Sequence, residues 1–149
     1  MTLTDAEARR FDTERVMGLI GYGLLFSAIF FAGVPGIVGV IMAYSQRRSA
    51  TPQLREHYRF QIQIFWIGFL LGLVAGICGL WALADLLGEA WRDELHSDVQ
   101  VSNLTFTGRI IGLFIASGIG LALMALWSLA APAVGFLRLA TTPRPVAAA

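Results

Sequence analysis

Lysine is absent from the 149-residue chain, and all eleven of its basic side chains are arginine. Codon usage alone would produce such a bias, so it carries no functional weight. Charge of either sign is scarce. Only 14% of residues are charged, against about 25% in an ordinary soluble domain. The formal net charge is +1, and no basic patch with interleaved aromatics stands outside the flanks of the apolar segments. A nucleic-acid partner is therefore not expected. The single cysteine, Cys78, excludes an intrachain disulfide. Its apolar surroundings give it the character of a small hydrophobe.

More telling is where charge is missing altogether. Residues 16–44, 60–84 and 110–137 contain no charged side chain. Each run exceeds the roughly 20 apolar residues that cross a bilayer. The expectation is an all-α polytopic membrane bundle of three or four segments. Ion paths, proton relays and intramembrane active sites are marked by ionisable residues at depth, and these runs have none. That weighs against a coupled transporter or pump. An intramembrane hydrolase is disfavoured too, because no acid–base pair can be assembled there. Ser27, Ser117 and Ser128 lack a nearby base and are expected to bond back to their own helices. Glu89, Asp93 and His96 share one helical face, but such mixed ligands arise easily on any solvated helix. No catalytic residue, metal or cofactor is expected.

Residues 1–15 are polar, with four acids and three arginines. They are read as a cytoplasmic surface helix. Thr4 and Glu7 have capping-box spacing, and Asp5 with Arg9 and Arg10 with Glu14 are opposite charges four apart. The following run is too long for a signal-peptide core and lacks a small-residue cleavage site. The N-terminus is therefore expected to be kept, the chain inserting by its own spans. Within that run, Gly33, Pro35 and Gly36 interrupt helical order, which gives either one kinked helix or two helices with a turn. Arginine placement chooses between them. Arginines concentrate in the N-terminal tail and in residues 45–59, while 85–109 has two against five acids. The positive-inside rule then places 45–59 and both tails inside and 85–109 outside. This requires a hairpin, with segments of about 16–33 and 35–46, the second arm partly re-entrant. Further segments are expected over 60–84 and 110–137, the latter holding Pro132. Trp81 and Trp91 fall near the outer end of the 60–84 span, and Tyr44, Tyr58 and Trp66 near the inner one. Residues 85–98 are amphipathic, and "VQVSNLTF", which includes a sequon at Asn103, alternates weakly as an extended return. The single membrane domain covers 16–138, and 139–149 form a disordered tail.

Two constellations stand out. Gly68, Gly72 and Gly76 form a double GxxxG, whose stripe Gln61, Phe65 and Gly79 extend. Gly108, Gly112, Ala116 and Gly120 repeat the four-residue spacing. Small residues at this interval let helix backbones approach closely in lipid. The two stripes are expected to pack on each other or to serve a homo-oligomer or another membrane protein. The second constellation is the polar start of the third run, Arg55, Glu56, His57, Arg59, Gln61 and Gln63. It serves either as an interfacial anchor or as a cytoplasmic contact site for anionic lipid or a partner segment. Arg55, His57, Arg59 and Gln61 are its candidates.

The stretch "GVPGIVGVIMAYSQRRSATPQLREHYRFQIQIFWIGFLLGL", residues 33–73, resembles a bacterial family of small, uncharacterised integral membrane proteins. That family is distantly similar to the import-channel component of the chloroplast inner-envelope translocon. Ala43, Tyr44, Arg48, His57, Phe60, Gln61, Phe65 and Trp66 carry the resemblance, and the segment from Trp127 to Pro145 is also similar. Two departures are an arginine of the last helix, missing here over 131–135, and a longer 85–109 segment. The resemblance implies a helix break near residues 33–36 and implies no activity. The sequence thus points to a non-enzymatic, multi-pass protein of a bacterial inner membrane. It would act as a structural or assembly partner within the bilayer, or alternatively as a small channel or transporter component.

Overall fold

The computed structural model describes residues 5–31, 33–95 and 108–143. Within them the chain is all-α: α1 (Asp5–Ser27), α2 (Val34–Gln46), α3 (Pro52–Leu95) and α4 (Gly108–Ala140). Thr4, the extended return with its sequon, and most of the expected tail lie outside the described residues. The chain divides into two compact units. The described residues within 1–68 and 125–149 form a hairpin unit, and those within 69–124 form a paired-helix unit.

The break between α1 and α2 has an identifiable cause. Continued helix would drive the Pro35 ring into the carbonyl of Phe31, one turn earlier. Instead Gly33 takes φ 83°, in the left-handed region, and caps α2 with Pro35 in its first turn. Only glycine enters that region without a steric penalty. The turn supplies its own hydrogen bonds: Phe30 N–H donates to Ser27 O at 3.0 Å, and Gly33 N–H to Ala28 O at 2.8 Å. Ser27 Oγ donates to Leu24 O at 3.0 Å, so this serine does bond back to its own helix. The two arms then touch through glycine. A Cβ added at Gly36 would sit 3.0 Å from Ala28 Cβ, and one at Gly39 would sit 3.3 Å from Leu24 Cβ.

A separate surface helix over residues 1–15 does not form. α1 runs through residue 15 unbroken. Phe11, Glu14, Gly18, Gly21 and Leu25 are all buried. Their spacing alternates three and four, so one face continues from the charged stretch into the apolar run. The expected span over 60–84 is likewise only the middle of α3, which has 44 residues. Tyr58 is not an interfacial belt residue, being 1% exposed.

The seam of α3 corrects the four-residue stripe. Its inward positions are Leu54, Tyr58, Gln61, Phe65 and Gly68 in the hairpin unit, then Gly72, Ala75, Gly79 and Ala82 in the paired-helix unit. These steps of four and three average the 3.5 residues of a heptad. A strict interval of four advances 400° instead and drifts about 40° around the helix at every step. In the paired-helix unit, Gly72 faces Met124, Ala75 faces Gly120, and Gly79 faces Ser117, an antiparallel register. Gly68 faces Trp127 and Ser128 in the hairpin unit. Among the described residues, Gly76, Gly108 and Gly112 meet nothing within 4 Å, and Ala116 is exposed. Ser117 does not bond within its own helix: its buried Oγ donates to Ala75 O on α3 at 2.9 Å. An ion pair between Arg109 and Asp85, 2.9 Å, lies near one end of this unit. With Arg109 well exposed, it is worth at most about 1 kcal/mol.

The outward faces are apolar. Leu70, Val74, Ile77 and Leu80 on α3, and Ile115, Ile119 and Leu126 on α4, are each at least half exposed. Both helices are long and apolar enough to cross a membrane. By contrast α2, with 13 residues, reaches only about 20 Å at 1.5 Å per residue.

The heptad seam and the four-residue stripe agree at Gly120 and make opposite predictions at Gly76. Gly120→Val should press on Ala75, whose Cα would lie 3.4 Å from an added Cβ, and lower the thermal midpoint in detergent by an amount equivalent to about 1–3 kcal/mol. Gly76→Ala should leave the midpoint unchanged or raise it, since alanine favours helix over glycine by about 1 kcal/mol.

Candidate functional site

The hairpin unit gathers α1, the α2–α3 turn, the start of α3 and the last turn of α4 at one arginine-rich end. Glu14 organises it. The Arg10 Nε–H donates to Glu14 Oε1 at 2.9 Å, and the backbone N–H of Thr51 donates to Oε2 at 2.9 Å. Thr51 precedes Pro52, the first residue of α3, where proline's missing donor costs nothing. Glu14 thus places a negative charge at the positive end of the α3 dipole. Arg10 also donates to Ser49 O, and the Tyr58 hydroxyl donates to the backbone oxygen of Glu14 at 2.9 Å. From the other side, Arg15 donates to Ala140 O at the C-terminus of α4.

One layer deeper, Gln61 is 0% exposed. Its Nε2–H donates to Gly18 O at 2.7 Å. The side chain lies flat against α1, and a Cβ at Gly21 would stand 2.6 Å from its Oε1. Gly18 also admits Leu139, whose Cδ2 would be 2.8 Å from a Cβ there. The Tyr22 hydroxyl lies 3.3 Å from the His57 backbone oxygen, to which it donates, and 3.3 Å from His57 Nδ1. Its ring fills the space left by Gly135, where an added Cβ would overlap it. Closer to the surface, Trp66 Nε1–H donates to Tyr44 Oη at 3.2 Å. The Arg47 guanidinium stacks 5.3 Å above the Tyr44 ring.

Beside this core is an open cavity of about 510 Å³. Glu56, His57, Arg59, Phe60 and Gln63 line it from α3, and Gly135, Arg138 and Thr142 from the end of α4. Among the described residues, neither the Arg59 nor the Arg138 guanidinium has a carboxylate or hydrogen-bond partner. The groups lining the opening offer two cationic forks, a carboxylate, an imidazole, an amide and a hydroxyl. They include no paired acid and base on a nucleophile.

The four contact candidates do not form one cluster. Arg55, His57, Arg59 and Gln61 are two residues apart, and successive steps of two turn 200° on a helix. His57 and Arg59 reach the cavity. Arg55 turns back on its own loop, its Nη2 3.4 Å from Ala50 O. Gln61 is committed to α1. Arg138, Thr142, Tyr22 and Glu14 belong to this end although none was a candidate. Glu14 was legible in principle, as the one acid in the inward α1 pattern of Phe11, Gly18 and Leu25. Among the described residues no group of three potential ligands could hold a metal. His96 and the side chain of Asp93 lie outside them.

Glu14→Ala should lower the thermal midpoint by the equivalent of about 2 kcal/mol, because the Arg10 charge and the Thr51 N–H lose their partner together. Glu14→Gln should cost less, since its amide oxygen can still accept from Thr51. Equal midpoints for wild type and Glu14→Ala would remove Glu14 from this role. No protein-family model, curated protein or solved structure matches this chain.

Proposed function

We propose that this chain is a multi-pass integral membrane protein without enzymatic activity, acting through helix contacts with a second copy or with another membrane protein. One observation carries the reading. The heptad seam consumes Gly72, Ala75, Gly79, Ser117 and Gly120, yet among the described residues nothing covers Gly108, Gly112 and Ala116 on α4. Those three residues keep the four-residue interval that lets another helix approach closely in lipid. The uncharged runs supply the rest, because apolar faces of this length need lipid or protein to cover them. In this reading the arginine-rich end of the hairpin unit faces the cytoplasm of a bacterial cell.

Gly112→Leu should abolish cross-linked oligomers or complexes in native membranes while leaving the detergent midpoint unchanged. Persistence of the same complexes at wild-type yield would remove the strip from assembly. If no complex forms with the wild type, and reconstituted vesicles conduct ions, the channel reading replaces this one. The hairpin has its own test. In a Cys78→Ala background, single cysteines replacing Arg9 and Arg48 should react with an impermeant maleimide from the same side of the membrane. Labelling from opposite sides would mean that the first apolar run crosses once.

A further inference from the structure

We propose that the cavity between the start of α3 and the end of α4 in the hairpin unit binds the phosphodiester headgroup of an anionic phospholipid, held by Arg59 and Arg138. The inference rests on the chain lying in a bilayer and not on the assembly reading. Arg59 immediately precedes the uncharged run of α3, and Arg138 immediately follows that of α4. Both cations therefore stand at the boundary where headgroup phosphates lie. Their planar forks match phosphate oxygens and carry full charge at any physiological pH. Neither fork has another partner among the described residues.

The other lining groups narrow the ligand. Glu56 and His57 share the cavity, and with the imidazole neutral two arginines against one carboxylate leave a single positive charge. A phosphodiester carries one negative charge and balances that excess, whereas free phosphate near neutral pH carries more and would leave the cavity net negative. Gln63 and Thr142 line the same cavity and bring an amide and a hydroxyl. These are donors suited to ester oxygens or to a headgroup hydroxyl. Phe60 is half-buried in the wall, and Leu137, beside Arg138, is 61% exposed. An acyl chain leaving the phosphate thus has apolar surface to follow. Arg48 provides an internal control: it is exposed at the same end of the unit but does not line the cavity.

The experiment uses the full chain in zwitterionic-lipid nanodiscs and measures retention of phosphatidylglycerol by native mass spectrometry. Wild-type protein should retain phosphatidylglycerol over phosphatidylcholine. The Arg59→Gln/Arg138→Gln double variant should lose retention about thirtyfold, each arginine near an anionic surface being worth roughly a factor of five. Arg48→Gln should retain as wild type does. Arg59→Lys/Arg138→Lys, which keeps the charge, should recover part of the loss and show that the site still folds. Four results would overturn the proposal: equal retention by the glutamine double variant and wild type, an equal loss in Arg48→Gln, displacement of the lipid by an acidic peptide, or its displacement by millimolar inorganic phosphate. The last would make the site one for soluble phosphate. Displacement by an acidic peptide at comparable concentration would make it a protein-docking site instead.

Discussion

Glu14 offers one carboxylate oxygen to the Arg10 guanidinium and the other to the backbone N–H of Thr51, and it is nearly buried. A carboxylate in that position is costly without partners. With them, it joins the first helix to the turn after the second, from which the third helix starts, across 37 positions of sequence. The Tyr58 hydroxyl on the Glu14 carbonyl adds a third contact within one residue's reach. Closing the α1–α2 hairpin brings the 47–51 turn back to the level of Glu14. The carboxylate then fixes where α3 begins and, through the helical repeat, which of its faces points inward.

That inward face explains the division of labour along α3. Once Leu54 and Tyr58 are directed at α1, steps of three and four bring Gln61 against Gly18 and Phe65 within reach of Gly36. The same steps turn Glu56, Arg59 and Gln63 toward the cavity. The polar start of α3 is therefore two faces of one helix. One bonds to α1 and sets the fold. On the other, Arg59 has no hydrogen-bond partner among the described residues and faces the cavity.

How much of this could be read from the residues differs by element. The α1–α2 break was legible because Pro35 and Gly33 act locally, through one ring and one dihedral angle. The long apolar helices were legible because composition decides them. The seam was not. Gly68, Gly72 and Gly76 catch the eye by their interval, yet alanines and a serine at heptad positions do the same packing with less conspicuous letters. The polar cluster was misread for a related reason, since alternate residues are neighbours in a strand and opposites in a helix. Ser117 shows a further limit. Its hydroxyl was expected to serve its own backbone, and only the facing helix reveals Ala75 O as its partner. Arg138 and Thr142 reach the cavity through tertiary placement, about 80 residues after His57, and no local pattern announces that.

The order in which the chain is made bears on the hairpin unit. Gly18 receives Leu139, Tyr22 receives the space at Gly135, and Arg15 donates to Ala140 across 125 positions. These are among the first and the last residues of the helical bundle. The α1–α2 hairpin can close as soon as its own residues exist, because its turn is locally bonded. Its α4-facing surface cannot. While most of α4 is being synthesised, Gly18 and Tyr22 have their α3 partners Gln61 and His57 but lack Leu139 and the space at Gly135. The hairpin unit is thus sealed by its final turn of helix, and a chain that stops before residue 135 leaves the first helix without part of its core.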